Sequence, residues 1–205
     1  MAVMLEPRPA DPRALGKYRP PLALVDPLVC TGCGNCVSVC PVKAAQVPTT
    51  NDELIEGQVR AALGMGTGRA AGEASSQTGG RVLVFACEWS GYAAAELAGA
   101  GQLCYPASTR VIRLNCTGRL QPGLILKALE MGAAGVLILG CAPGVCHFEQ
   151  GNEHCAAVFE QASALARLLN LERRLRLSWI APDDGAQFAQ LVREFVAELE
   201  NSTGM

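Results

Sequence analysis

The chain has 205 residues, 50% of them hydrophobic and 18% charged, with 17 Lys+Arg against 19 Asp+Glu. That composition can bury an ordinary core in one domain plus an appendage, which excludes disorder throughout. A formal net charge of −2 offers no basic field to a phosphate backbone and excludes nucleic-acid binding as the main activity.

Taken in order, residues 1–22 carry Pro7, Pro9, Pro12, Pro20 and Pro21 with little periodicity, which predicts an extended amino-terminal arm. Residues 23–63 hold a dense cysteine run and then NDELIEGQVRAAL, with apolar positions at helical spacing behind the cap candidate Asn51, so one short helix is expected. Residues 64–80, GMGTGRAAGEASSQTGG, have little to bury; they read as a flexible linker and the domain boundary. From residue 81 to 205 short apolar runs alternate with longer amphipathic ones. Strands are predicted at 81–86 (RVLVFA), 110–115 (RVIRLN), 135–140 (GVLILG) and 175–180 (LRLSWI), and helices at 92–100, 121–131, 152–171 and 184–199. The order βαβαβαβα predicts an α/β domain: a small doubly wound, flavodoxin-like parallel sheet with right-handed crossovers and helices on both faces.

The most apolar stretch, residues 133–141, falls far short of the roughly 20 residues a membrane helix needs. The start of the chain lacks the apolar region of a signal peptide, so a cytoplasmic location without membrane insertion is expected. Ten cysteines stand out. An even count fits a secreted disulfide framework, but a core can form here without staples, and four of the ten fall in a C-x2-C-x2-C-x3-C-P run that suits metal ligation.

In that run, CTGCGNCVSVCP, Cys30, Cys33, Cys36 and Cys40 have the spacing of bacterial ferredoxin loops, which hold a [4Fe-4S] cluster. Gly32 and Gly34 permit tight turns that aim backbone N–H groups at sulfur, and Val37, Val39 and Val42 are expected to shield the cluster. In two-cluster ferredoxins the fourth cysteine of such a run serves the other cluster, and this chain has one run. Either Cys40 closes the cube locally or a cysteine from elsewhere, such as Cys104, Cys155 or one on a partner subunit, completes it. Zinc is the competing metal, although zinc knots usually pair two separated C-x2-C units.

A second set is brought together by topology. Cys87, Cys116 and Cys141 end three predicted parallel strands, whose carboxyl ends line one crevice. Cys146 closes the loop CAPGVC, where Pro143 and Gly144 favour a turn back to the same edge. Four soft thiolates suit a [2Fe-2S] cluster, with zinc as the other metal. Any one of these cysteines alone reads as a small buried hydrophobe, and that reading is kept for Cys104 and Cys155. The C-x4-C spacing is not the C-x2-C of thioredoxin-like enzymes. His147 could couple proton to electron transfer or be structural; His154 reads as structural. Arg119 reads equally as a cation raising a cluster's potential or as half of a surface salt bridge. Trp89 and Tyr92 read as core or interface contacts. GMGTGR precedes a strand instead of following one, which rejects a dinucleotide site, and no Ser/His/Asp constellation or carboxylate pair assigns substrate chemistry.

The segments VLVFACEWSGYAAAELAGAGQLCYPASTRVIRLNCTGRLQPGLILKALEMGAAGVLILGCAPGVCHFEQGN and RLRLSWIAPDDGAQFAQLVREF resemble the delta subunit of methyl-viologen-reducing hydrogenase from about residue 81 onward. The resemblance implies a [2Fe-2S] cluster on Cys87, Cys116, Cys141 and Cys146. It also implies electron transfer between a hydrogenase or formate dehydrogenase and a heterodisulfide-reductase flavin subunit; related subunits serve other flavin-bifurcating complexes, including those of benzoyl-CoA reduction. Many members have a cysteine where Ser90 stands, a histidine at Ala142 and an aspartate at Val145. Were the Ser90 position a ligand in the family, this chain would need Cys104 in its place or hold an altered cluster. Residues 25–63 resemble half of the ferredoxin region ending the flavin subunit. The expectation is an iron-sulfur relay subunit of a multi-subunit, electron-bifurcating oxidoreductase, its linker letting the ferredoxin segment reach a partner. The alternative is a zinc- or cluster-bearing structural or redox-sensing protein.

Overall fold

The computed structural model describes residues 3–6, 21–65 and 80–203. The chain divides into two compact units, residues 1–32 and 33–205. Most of the predicted arm and of the predicted linker lies outside the described residues.

In the first unit, β1 (Val3–Glu6) and β2 (Leu22–Val25) pair antiparallel, Val3 opposite Val25 and Glu6 opposite Leu22. After β2 the Asp26 side chain accepts from the Leu28 N–H at 2.9 Å, while its carbonyl accepts from Val29 and Cys30. This Asx-type turn sets the conformation of the chain entering Cys30.

The second unit is built on a four-stranded parallel sheet, ordered β4 (Thr109–Leu114), β3 (Val82–Cys87), β5 (Gly135–Gly140) and β6 (Leu175–Trp179). The two central strands, β3 and β5, are buried at every position, as apolar runs covered on both faces must be. Alternation along them feeds two cores. Val82, Val84, Ala86, Leu137 and Leu139 pack with α3 (Ala93–Ala100) and α6 (Gly185–Thr203). Leu83, Phe85, Val136 and Ile138 pack with α4 (Pro122–Glu130) and α5 (Gly151–Leu168) on the other face. Helices therefore cover both faces, as predicted.

That second core also takes in the helix ahead of the linker. α2 (Asp52–Ala62) is capped by Asn51, whose side chain accepts from Leu54 N–H at 2.8 Å, and buries Ile55 and Val59 among the sheet and α4 residues. α2 is thus docked on the sheet through shared apolar burial of Ile55 and Val59. Among the described residues no helix is long and apolar enough to cross a membrane.

Candidate iron-sulfur sites

Three cysteines of the second set stand at the carboxyl ends of parallel strands. Cys87 is the last residue of β3, Cys116 follows β4 and Cys141 follows β5; all three are buried, and Cys146 is half-buried. Cys87 Sγ and Cys141 Sγ lie 3.6 Å apart, close to the spacing of two thiolates on one tetrahedral metal with metal–sulfur bonds of about 2.3 Å. Cys116 and Cys146 meet over Gly151 at the start of α5. A Cβ at Gly151 would run into Cys116 Sγ and stand 3.4 Å from Cys146 Sγ, so the missing side chain is what makes room for the two sulfurs.

Backbone donors serve three of these sulfurs. Gly118 N–H donates to Cys116 Sγ at 3.4 Å, the N–H of Trp89 faces Cys87, and that of His147 faces Cys141. The pKa of Cys141 is lowered, first by the Cys87 thiol and then by the Ser90 hydroxyl and the His147 N–H, while that of Cys87 is raised by the same contact and by burial. Burial pushes Cys116 up to about 12 against the opposing Gly118 N–H, so a cation at its sulfur is needed to hold it as thiolate at neutral pH. Among the described residues no three His, Cys, Asp or Glu side chains close around a single ion. With Cys146 also in reach of Cys141, the four thiols form a soft donor set of the kind that holds iron-sulfur or zinc.

The first set is at the surface. Cys30 is exposed in the first unit; in the second, Cys36 is exposed and Cys33 and Cys40 are half-exposed. α1 (Asn35–Ser38) lies within the run. Past it the chain turns around Cys40, whose Sγ accepts from Ala44 N–H at 3.2 Å. The N–H groups of Ala45, Ala44 and Val42 lower its pKa, a thiolate-favouring ring of amides suited to a cluster ligand. Val37 is buried, but Val39 and Val42 are 60% and 77% exposed, so only one of the three valines expected to shield the cluster faces inward. In the structure, backbone amides give Cys40 what apolar cover does not.

Within the second unit, the segment from Cys33 onward meets the second set across the loop that follows Cys116. Cys33 is near enough to raise the pKa of Cys116 electrostatically. Ser38 Oγ lies 2.7 Å from Gly118 O, 2.8 Å from Asn35 O and 2.7 Å from His154 Nε2, and Gln121 Nε2 donates to Val37 O at 3.3 Å. Arg119 is 1% exposed. Its stem crosses Gly34, which has φ +83° and where a Cβ would sit 2.5 Å from Arg119 Cδ; glycine meets both demands at once. Arg119 Nε donates to Thr50 O at 3.0 Å and Nη2 to Asp52 Oδ1 at 2.5 Å. Of the two readings of Arg119 held equal, a cation beside a cluster or half of a surface salt bridge, the structure shows an ion pair, and a buried one, joining the loop after Cys116 to the start of α2.

The remaining candidates divide clearly. Cys155 is fully buried in the apolar core, its pKa raised to about 11 by burial. Cys104 is exposed in the loop leading into β4, held by Arg193 donating to its carbonyl at 2.6 Å. That loop is at the amino-terminal edge of the sheet, a strand's length from the thiols at the other end, so Cys104 is not placed to substitute at the second site. Trp89 stacks on His147 with ring centroids 3.6 Å apart, and Phe148 meets both edge-on. Ser90, singled out in the sequence only as a position where relatives carry cysteine, is buried beside Cys141.

A family model for the delta subunit of methyl-viologen-reducing hydrogenase matches residues 82–202, and one for a 4Fe-4S binding domain matches residues 23–46. The chain is similar to a subunit of the ferredoxin:CoB-CoM heterodisulfide reductase of Methanosarcina mazei, 37% identical over 208 residues, covering 87% of this chain and 25% of that protein. It is similar to an iron-sulfur subunit of the F420-non-reducing hydrogenase of Archaeoglobus profundus, 38% identical over 119 residues, 58% of this chain and 87% of that protein. The vhc iron-sulfur subunit of the F420-non-reducing hydrogenase of Methanococcus voltae is 38% identical over 109 residues, 53% of this chain and 76% of its own length. The chain thus spans a quarter of the first relative and most of the other two.

Proposed function

Because the chain belongs to the methyl-viologen-reducing hydrogenase delta subunit family and carries a 4Fe-4S binding domain, we propose that it is an iron-sulfur electron-transfer subunit of a multi-subunit oxidoreductase. Cys30, Cys33, Cys36 and Cys40 hold a [4Fe-4S] cluster; Cys87, Cys116, Cys141 and Cys146 hold a [2Fe-2S] cluster. When bound, the clusters supply reversible uptake of single electrons. The observation that carries the reading is the Cys87–Cys141 pair at 3.6 Å, with backbone N–H groups directed at Cys87, Cys116 and Cys141.

The protein's own residues do three things in this reading. The thiolates bind, the amides offset negative charge on sulfur, and burial at the rim excludes water so that both effects are felt strongly. Arg119, with Ser38 and Gln121, fixes the segment containing Cys33 beside Cys116, which favours electron passage inside the chain. The names of the relatives support partners from hydrogenase and heterodisulfide reductase complexes; a formate dehydrogenase or other dehydrogenase on one side, and a heterodisulfide-reductase-type flavin subunit on the other, enter the reading through the family resemblance alone. Flavin-based bifurcation and a cytoplasmic site belong to the same reading.

Purified without oxygen, the protein is expected to be brown, with about six irons per chain for the two clusters together, equivalent acid-labile sulfide, and two paramagnetic signals after dithionite. A colourless protein holding zinc sinks the proposal. Co-purification of the native complex identifies the partners; recovery with neither class of subunit removes that part of it.

A further inference from the structure

After Cys87 the chain does not enter α3 directly but makes a π-helical turn over Glu88–Tyr92, a rare form that marks functional sites more often than chance. Gly91 clamps this turn on β5: a Cβ there would sit 2.6 Å from Leu139 Cβ and 2.8 Å from Leu139 O. Leu139 stands two residues before Cys141, so the clamp brings Ser90 to the rim where Cys87 and Cys141 meet. Ser90 is 1% exposed, and its Oγ makes no full hydrogen bond. The polar group it does feel is the sulfur of Cys141, whose ionised form it favours. A buried hydroxyl without a partner is a standing penalty, and native folds keep few of them without a reason.

We propose that Ser90 is a positioning and tuning residue of the second centre, its hydroxyl donating to the Cys141 sulfur when that sulfur carries iron and thereby raising the centre's midpoint potential. This rests on the two-cluster reading above. The proton stays on the serine oxygen throughout. Its positive end lies beside a sulfur whose negative charge grows when the cluster is reduced, so the contact favours the reduced state more than the oxidised one. The Cys87–Cys141 pair already supplies two sulfurs at this rim, and the hydroxyl acts as donor to one of them and not as ligand.

The test uses the full chain, purified without oxygen, as wild type, Ser90→Ala and Ser90→Cys, with iron and sulfide content, paramagnetic signals and a potentiometric titration of each. Ser90→Ala is expected to keep wild-type iron and both signals. The midpoint of the second centre should fall by the equivalent of about a tenfold change in its reduction equilibrium, 59 mV for one electron, while that of the first stays put. Ser90→Cys preserves the buried size with a weaker S–H donor, so its midpoint should lie between the two. An unmoved midpoint in Ser90→Ala overturns the inference. So does loss of the second centre's iron in Ser90→Ala with recovery in Ser90→Cys, since that makes the position a ligand. A wild-type chain with iron for the first centre alone overturns the two-cluster reading itself, and is told apart from the other two outcomes before any variant is made.

Discussion

The two cysteine sets differ in how the chain assembles them. Cys30, Cys33, Cys36 and Cys40 lie close together in sequence; all are at least partly exposed, and backbone amides from the next few residues surround Cys40. Cys87, Cys116 and Cys141 are far apart in sequence, buried, and adjacent only because β4, β3 and β5 are neighbours in the sheet. The first candidate site is a property of local sequence and the second a property of the fold. Damage to the core should therefore cost the second centre first, and single-ligand changes should separate the two.

The largest effect follows from removing a ligand. Cys141→Ala takes one sulfur from the 3.6 Å pair and leaves Cys87 alone at the rim, so the signal of the second centre is expected to vanish while that of the first persists. Cys36→Ala should do the reverse. If both variants lose both signals together, the sites are one and the comparison breaks. Next in size is Gly151→Ala, whose methyl would collide with Cys116 Sγ. Most of the iron of the second centre should be lost at unchanged first-centre content. Gly57→Ala, where a Cβ meets nothing within 4 Å inside α2, is the matched control: it should keep all iron and raise stability by about 0.5–1 kcal/mol through helix propensity.

The same contrast explains what the sequence discloses. The continuous apolar runs of β3 and β5 and the amphipathic helices beside them are local patterns, and the observed elements begin and end within a few residues of the predicted ones. Strand-end cysteines become a site once parallel strands are inferred, because position in an open sheet follows from chain order and handedness. What depends on partners remote in sequence stays hidden. Arg119 pairs with Asp52, 67 residues away, and nothing around either residue announces the other. Ile55 and Val59 show helical spacing, which predicts a buried face without saying what buries it. The π turn at Glu88–Tyr92 and the place of Ser90 beside Cys141 arise from Gly91 meeting Leu139 across two strands.

The clasp between the sites gives a smaller effect. Asp52→Ala leaves the guanidinium of Arg119 buried with Thr50 O as its remaining partner. Breaking a fully buried pair costs about 3–5 kcal/mol; with the Asp52 side chain 28% exposed, a loss of roughly 2 kcal/mol is expected. Urea unfolding of the full chain measures it, and the magnetic interaction between the two reduced centres should weaken as residues 33–52 loosen from the rim. A variant with wild-type stability and undiminished interaction separates the docking of the two segments from this ion pair.

The smallest effect is a slope with pH. Ser38 Oγ stands within 2.8 Å of two carbonyls and of His154 Nε2. Its single proton can serve one carbonyl, so Nε2 carries a hydrogen and donates to Ser38, in the neutral as in the charged ring. Protonation on Nδ1 therefore leaves this hydrogen bond in place, and what opposes it is burial, which lowers the pKa of His154 from 6.5. A base with a depressed folded pKa leaves the unfolded chain holding more protons below 6.5, so stability rises with pH between the folded value and 6.5 and is flat above. His154→Gln keeps a donor for Ser38 without a titrating group, and the slope in urea midpoint over about pH 5 to 7 should flatten relative to wild type. Equal slopes in the two proteins would place the pH dependence in the thiols at the rim, where the second site, unlike the first, has buried groups to titrate.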